Sequence, residues 1–429
     1  MLCSAWLLLA ALPSVFAASV PLHDSHDHDH SHVERTQLPG GWYQPESHPV
    51  HKLFRRAPDD GVQRPAVGSA EWAAPYPRGV PDSSQLPQAW VAALNAAVAA
   101  GDIPDIPQTT NTPQTNPVYP AGVNPVSIEV CSATYKCRNP EDLWDAPDGV
   151  FASSFDDGPY PATAQLVDFL TSNDVKTTHF MIGINILNYP ALFLQAFDAG
   201  GDIAVHTYNH LYMTTLSNLD IVAQLGWTMQ IIHESTGGRI PRYWRPPYGD
   251  SDNRVRAIAK EVFGMETVIW NQDTSDWNLA AGSTTQETIH QQMTQWLAGP
   301  KSPGLMILEH EINEQTVGAF IAAFPLIAQN GWRFESLASA YGVGAYQNAA
   351  SSTSDDVEEA SIVDRPGDGD STTTSASETA TQTAPAELPA TTSPSGSSKG
   401  NSSSGISVRH GYFWTTSVLI SSFFAALLL

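Results

Sequence analysis

The sequence predicts an α/β fold built on a parallel sheet, and two observations predict it. Between residues 145 and 345, short β-type runs alternate with helix-length segments. Just past the ends of those runs, carboxylates, histidines and an arginine recur in short clusters. Periodicity alone leaves open whether such a sheet stays open or closes into a barrel.

The β-type runs are 150–155, 177–182, 202–205, 242–244, 267–270, 304–308 and 332–334. Helices are expected at 163–171, 190–199, 219–234, 252–263, 286–297 and 315–329. In the third of these, Leu219, Ala223, Leu225, Met229 and Ile232 mark one apolar face. Ser217 with Asp220 reads as its amino-terminal cap. A further helix at 87–100, with Leu86, Trp90, Leu94 and Val98, lies in Pro-rich surroundings. Residues 57–144 are therefore expected to form an arm wrapped over the core.

The chain has 429 residues, with 20 Lys and Arg against 44 Asp and Glu, a net charge of −24. That balance excludes a nucleic-acid partner, because no basic patch is left to neutralise phosphates. With 42% hydrophobic and 15% charged residues, the chain can still build a core. Three cysteines exclude a disulfide-dense scaffold or a cysteine-rich zinc module.

The ends are not globular in composition. Residues 1–18 hold an apolar run followed by small residues, the pattern of a secretory signal peptide. Residues 19–56 form a leader in which His23, His26, His28, His30 and His32 alternate with Asp and Ser. Such a tract chelates metal weakly or is simply a solvated leader. Arg55-Arg56 is a dibasic pair open to processing. Residues 346–400 are rich in Ser, Thr and Pro and read as a stalk. From 401 to 429, small residues at Asn401-Ser402-Ser403, a polar spacer and an apolar tail match a GPI-anchor signal, with Asn401 or a neighbouring serine as the anchor residue and a tail-anchored transmembrane helix as the alternative. The protein is then expected on the outer face of the plasma membrane, or transferred to a cell wall. Cys3 leaves with the signal peptide, so Cys131 and Cys137 remain as an even pair in an oxidising compartment. A disulfide is expected there, with a zinc pair as the alternative.

The chemistry lies at the run ends. Asp156-Asp157 close the first run, and adjacent carboxylates are costly unless they have a task, although an acidic turn before Gly158-Pro159 would look the same. His206 and His210 stand at i and i+4 after the third run. If that segment turns helically, both face one metal, and a strand-end carboxylate completes a His₂Asp set open to water. Arg245 opens Arg245-Pro246-Pro247-Tyr248-Gly249 and can clamp a carboxylate, or the segment is only a rigid surface turn. Asp273-Thr274-Ser275-Asp276-Trp277 follows the fifth run, and Leu308-Glu309-His310 ends the sixth. An Asp orienting a His and supporting its charge would make His310 a general acid.

In order, SFDDG, HTYNH, RPPYG, DTSDW and LEH resemble the motifs of family 4 carbohydrate esterases, the polysaccharide deacetylases with a NodB-homology domain. The likeness covers about 145–345. The block upstream, 86–100 with Cys131-Ser132-Ala133-Thr134 and Cys137-Arg138-Asn139-Pro140, is similar to fungal chitin deacetylases of the GPI-anchored type. The resemblance implies a distorted (β/α) barrel and metal-assisted amide hydrolysis. It implies Asp156 as general base and Asp157 as metal ligand beside His206 and His210. Arg245 would hold Asp156, and the Tyr248 amide would bind the oxyanion. His310 would be the general acid tuned by Asp273, with Trp277 and Leu308 walling the acetyl pocket. One divalent metal is implied, zinc, with cobalt as the alternative. Ser154 stands where many members carry Thr.

The expected activity is removal of N-acetyl groups from chitin or its oligomers by a monomeric enzyme. The same motifs serve deacetylation of peptidoglycan or acetylxylan, and a non-catalytic wall protein is the reading from another class. An acidic surface would also attract the cationic product polymer.

Overall fold

The computed structural model describes residues 42–56, 65–112, 115–349 and 360–362. The expected signal peptide, His-rich tract, stalk and anchor signal, with Cys3 and Asn401, lie outside the described residues. No helix among the described residues is long and apolar enough to cross a membrane.

The first long element is α1 (Gln88–Ala100), within the arm. The core then runs through β1 (Val150–Asp156), α2 (Thr163–Ser172), β2 (Thr178–Met181), α3 (Gly183–Asn188) and α4 (Pro190–Asp198). Next come β3 (Asp202–Val205), α5 (Asn218–Ser235), β4 (Tyr243–Trp244), α6 (Asn253–Phe263), β5 (Glu266–Thr267) and β6 (Gln272–Asp273). It ends with α7 (Gln286–Leu297), β7 (Ile307–Leu308), α8 (Glu314–Gln329) and β8 (Arg333–Ser336). α3 was not foreseen. It is a short helix whose Gly183 lies so close to Tyr208 that an added Cβ would stand 2.4 Å from the ring.

Six strands form one parallel sheet in the order β5-β4-β3-β2-β1-β8. Every residue of β1 is buried, as a parallel strand covered on both faces requires. The run 266–273 changes partner half-way: β5 pairs with β4, and β6 pairs with β7. Leu305 and His310, flanking β7, bridge to Phe151 and Asp156 of β1. These pairings curl the sheet into a distorted barrel. The switch also explains why the expected strand at 267–270 splits into two short pieces.

The arm completes this irregular seam. Leu143 accepts from Ile269 and donates to Thr267, while the Ala146 carbonyl accepts from Gly304. Higher up, Trp90 of α1 is fully buried and packs edge-on against Trp227 of α5, with ring centroids 5.3 Å apart. Gly226 permits that approach, since an added Cβ would stand 2.5 Å from the Trp90 ring. With α1 on its outer side, α5 is buried on more than the single expected face. Leu219, expected in the core, is instead 36% exposed at the start of that helix. The Ser217 side chain does cap α5, accepting from the Asp220 amide.

A disulfide joins Cys131 and Cys137. The loop it closes is tied to the core by Arg256 of α6, which donates to the Cys131 carbonyl at 2.6 Å and to both oxygens of Asp142 at 2.8–3.0 Å. The Asp142–Arg256 pair is buried, so deleting the carboxylate strands a guanidinium away from water. Asp142→Ala is therefore expected to lower stability by roughly 3–5 kcal/mol in denaturant unfolding. A change within 0.5 kcal/mol, the ordinary range of surface substitutions, would mean that the arm is not held through this pair.

Candidate active site

The expected site residues gather where β1, β3, β4 and β7 end. Four of them or their neighbours, Asp157, Thr207, His210 and Tyr248, have positive φ of 74°, 63°, 58° and 60°. Such backbone costs about 1–3 kcal/mol per residue and persists only where the surroundings enforce it. Buried Gln224 of α5 supplies part of that enforcement, its side-chain oxygen accepting from the amides of Tyr208 and Asn209.

Asp157, His206 and His210 form a compact set whose ligand atoms lie within 4.8 Å of one another. The Nε2 atoms of His206 and His210 stand 3.3 and 3.2 Å from Asp157 Oδ1. His206 Nδ1 donates to the Arg245 carbonyl at 2.7 Å, which leaves a lone pair on Nε2 when the ring is neutral. Burial pushes the His210 pKa down to about 4 against the pull of Asp157, so its ring is neutral at pH 7. Asp157 Oδ1 is buried with no hydrogen-bond donor. A carboxylate oxygen facing the lone pair of a neutral imidazole, as at His210, is repulsive unless a cation lies between them. Tetrahedral zinc with bonds of about 2.0–2.1 Å spaces its ligands by roughly 3.3–3.4 Å, so the set fits such an ion.

Asp156 lies on one side. Its Oδ1 accepts from Arg245 Nη1 at 2.5 Å, and its Oδ2 is 3.9 Å from His206 Nε2. Arg245 is fully buried, with Nη2 donating to Ser154 Oγ at 3.0 Å and to the Ile269 carbonyl at 3.2 Å. Ser154, noted in the sequence only as a departure from Thr, thus supports the arginine with the hydroxyl that both residues share.

His310 stands next to Asp156, bridged to it from the end of β7, and its partner corrects an expectation. Its Nδ1 donates to Asp276 Oδ1 at 2.6 Å, and its backbone amide donates to Asp276 Oδ2 at 2.8 Å. Asp273, expected in that role, is exposed at the end of β6 and accepts from the Ser275 amide. Ser275 turns through φ 54°, and the short turn Asp276–Asn278 brings the later aspartate inward. Burial opposes a charge on His310, but Asp276, with Asp157 and Asp156 behind it, outweighs burial and raises the imidazole to about 10.

Tyr248 is 52% exposed and stacks on Tyr212 with ring centroids 4.0 Å apart, beside His210. Trp277 is 43% exposed, whereas the Leu308 side chain is buried. Beneath the Asp157-Gly158 turn, buried Glu311 accepts from His179 Nδ1 at 2.9 Å. Gly158 leaves room for that carboxylate. Glu311 closes the run Leu308-Glu309-His310-Glu311 that ends in the site, whereas no motif singles out His179.

Residues 145–268 match the family model described as polysaccharide deacetylase. The chain is 40% identical over 335 residues to "Chitin deacetylase 3" of Cryptococcus neoformans var. neoformans, spanning 77% of this chain and 80% of that protein. This chain belongs to the polysaccharide deacetylase family. It is also 35% identical to "Chitin deacetylase 1" of Saccharomyces cerevisiae over 62% of this chain and 84% of that protein. The family match ends at 268, before Asp276 and His310. In this deacetylase those two residues reach the site through the parallel pairing of β6 with β7.

The raised His310 pKa means that the acid form prevails below about pH 10 and is lost above it. Asp276→Asn removes the facing charge, so the alkaline limb of kcat/KM is expected to move to lower pH. The neutral-pH rate is expected to fall by about 10²-fold or more. Asp273→Asn is expected to leave the limb nearly in place. A limb that follows Asp273 instead would reverse the assignment.

Proposed function

We propose that the protein is a metal-dependent deacetylase that hydrolyses N-acetyl groups of GlcNAc units in chitin, giving glucosamine units and acetate. One observation carries this reading. A His₂Asp set fit for a divalent ion gathers with a carboxylate held by a buried arginine and an imidazole held in its charged form. The names of the relatives support chitin as substrate. The 335 aligned residues exceed the span 145–345, so the likeness extends beyond the barrel.

Asp157, His206 and His210 would hold the ion, zinc by the donor set, with cobalt as the alternative. When bound, the ion supplies Lewis acidity that polarises a carbonyl and lowers the pKa of water toward about 7. Asp156 takes a proton from the attacking water, and Arg245 keeps its carboxylate aimed. The Tyr248 amide donates toward the oxygen where negative charge develops. His310, its Nδ1 committed to Asp276, delivers a proton from Nε2 to the nitrogen as the C–N bond breaks. Solvent exchange then restores both groups.

Chelation of the purified protein is expected to abolish acetate release from chitin oligomers, and zinc to restore it. Asp156→Asn and His310→Ala are expected to bind zinc yet lose turnover by about 10²–10⁴-fold. Release only from acetylxylan or peptidoglycan would keep the chemistry and change the substrate. A zinc-loaded, folded protein silent on all three would leave the non-catalytic reading.

The domain plan, secretion and surface anchoring through Asn401 are part of the same proposal and rest on composition alone. Phosphatidylinositol-specific phospholipase C is expected to release the protein from intact cells. Failure to release it from either membrane or wall fractions, with Asn401→Gln still surface-bound, would refute that anchor.

A further inference from the structure

Beneath the site, Glu311 is a fully buried carboxylate that the reaction steps above do not use. His179 of β2 donates from Nδ1 to its Oε1 at 2.9 Å, while its Oε2 is buried with no donor. Burying a carboxylate in that half-satisfied state is costly, which asks for a reason.

Glu311 is fixed at both ends. Its amide donates to the Asp156 carbonyl at 3.1 Å, and His179 stands in register with Phe155 of β1. Its carboxylate lies so close to Gly158 that an added Cβ would overlap it. Gly201 makes matching room behind His179, since a Cβ there would stand 2.8 Å from the ring. The Asp156, Asp157 and Gly158 carbonyls accept from the Glu311 amide, the Asn185 side chain and the Ile182 amide. Those bonds hold the edges of the turn, and the Glu311 carboxylate is the surface on which Gly158 rests. Any shift of Gly158 would carry Asp157 with it, and Asp157 Oδ1 stands only 3.2–3.3 Å from both histidines.

We propose that Glu311, held by His179, is a positioning residue that sets where Asp157 meets His206 and His210. The inference rests on the reading that these three hold a divalent ion. Glu311 acts through the Gly158 turn, as residues behind a ligand set do elsewhere.

The test measures zinc affinity by competition with a chromophoric chelator, using the full-length protein and its Glu311→Ala, Glu311→Gln and Gly158→Ala variants. His206→Ala, measured alongside, reports any zinc held elsewhere on the chain, His23 to His32 included. Glu311→Ala is expected to raise the zinc Kd by about 10–100-fold. Glu311→Gln keeps the shape and an oxygen for His179, so it is expected to retain most of the affinity. Gly158 lacks the left-handed φ that would strain a side chain, so Gly158→Ala tests the space alone. It is expected to weaken zinc in the parent and to add little in the Glu311→Ala background, because both act on one contact. Glu311→Asp, one methylene shorter, replaces Glu311→Ala in this cycle if that variant fails to fold. A zinc Kd unmoved by these changes, even with stability lowered, would overturn the proposal, and so would additive effects in the double variant. Affinity that follows Glu311, without acetate release from any substrate, would overturn the deacetylase reading and leave the positioning role. Zinc-restored release with a Kd indifferent to Glu311 and Gly158 would do the reverse.

Discussion

A guanidinium removed from water is destabilising by several kcal/mol unless its donors are met, and Arg245 is fully buried. Its Nη1 meets Asp156 and its Nη2 meets Ser154 and the Ile269 carbonyl, while its buried Nε alone is left without a partner. Its own carbonyl accepts from His206 Nδ1. One residue therefore fixes the Asp156 carboxylate, sets which nitrogen of His206 carries the proton when the ring is neutral, and ties β1 to the run that follows β5. The ring of Phe180 lies 4.1 Å from its guanidinium carbon, closing that side to water. The residues that follow, Pro246-Pro247-Tyr248-Gly249, leave the same anchored point, so the exposed Tyr248 starts from a rigid base.

The strained backbone around this arginine follows from the same arrangement. Asp157, Thr207, His210 and Tyr248 would each be more relaxed as glycine, yet Asp157 and His210 bring the side chains that gather with His206 into one set. The positions are held by buried polar contacts from the helices behind them. Gln224 reaches from α5, and Asn185 of α3 donates to the Asp157 carbonyl. The arm joins in from outside, because the Tyr208 hydroxyl donates to the Pro77 carbonyl and Thr134 donates to Asp250. Arm and barrel thus support a single constellation.

Much of this was legible before any coordinates. The Ser217 cap of α5, the strand–helix alternation and the clusters at strand ends are local features, and short-range physics writes them directly into sequence. Asp157, His206 and His210 were readable as candidates by residue type, but the helical turn that the spacing of the histidines called for is absent: the segment is irregular, with positive φ at Thr207 and His210, and the fold brings the three together. Asp273 and Asp276 were not separable in this way. Both follow β6 within one motif, and only the turn at Ser275 decides which carboxylate points inward. The all-round burial of α5 was likewise invisible, since it depends on a helix more than a hundred residues upstream packing through Gly226.

The sequence by itself determined the fold class, which follows from local strand–helix alternation, and its ordered motifs pointed to the polysaccharide deacetylases and to the candidate site residues. Tertiary structure decided the closure of the barrel through 266–273, the choice of Asp276 over Asp273, and the pairing of His179 with Glu311 beneath the site. Those outcomes depend on pairings between segments far apart in the chain. Many alternative pairings satisfy the same local pattern, and only packing and hydrogen-bond satisfaction over the whole core select among them.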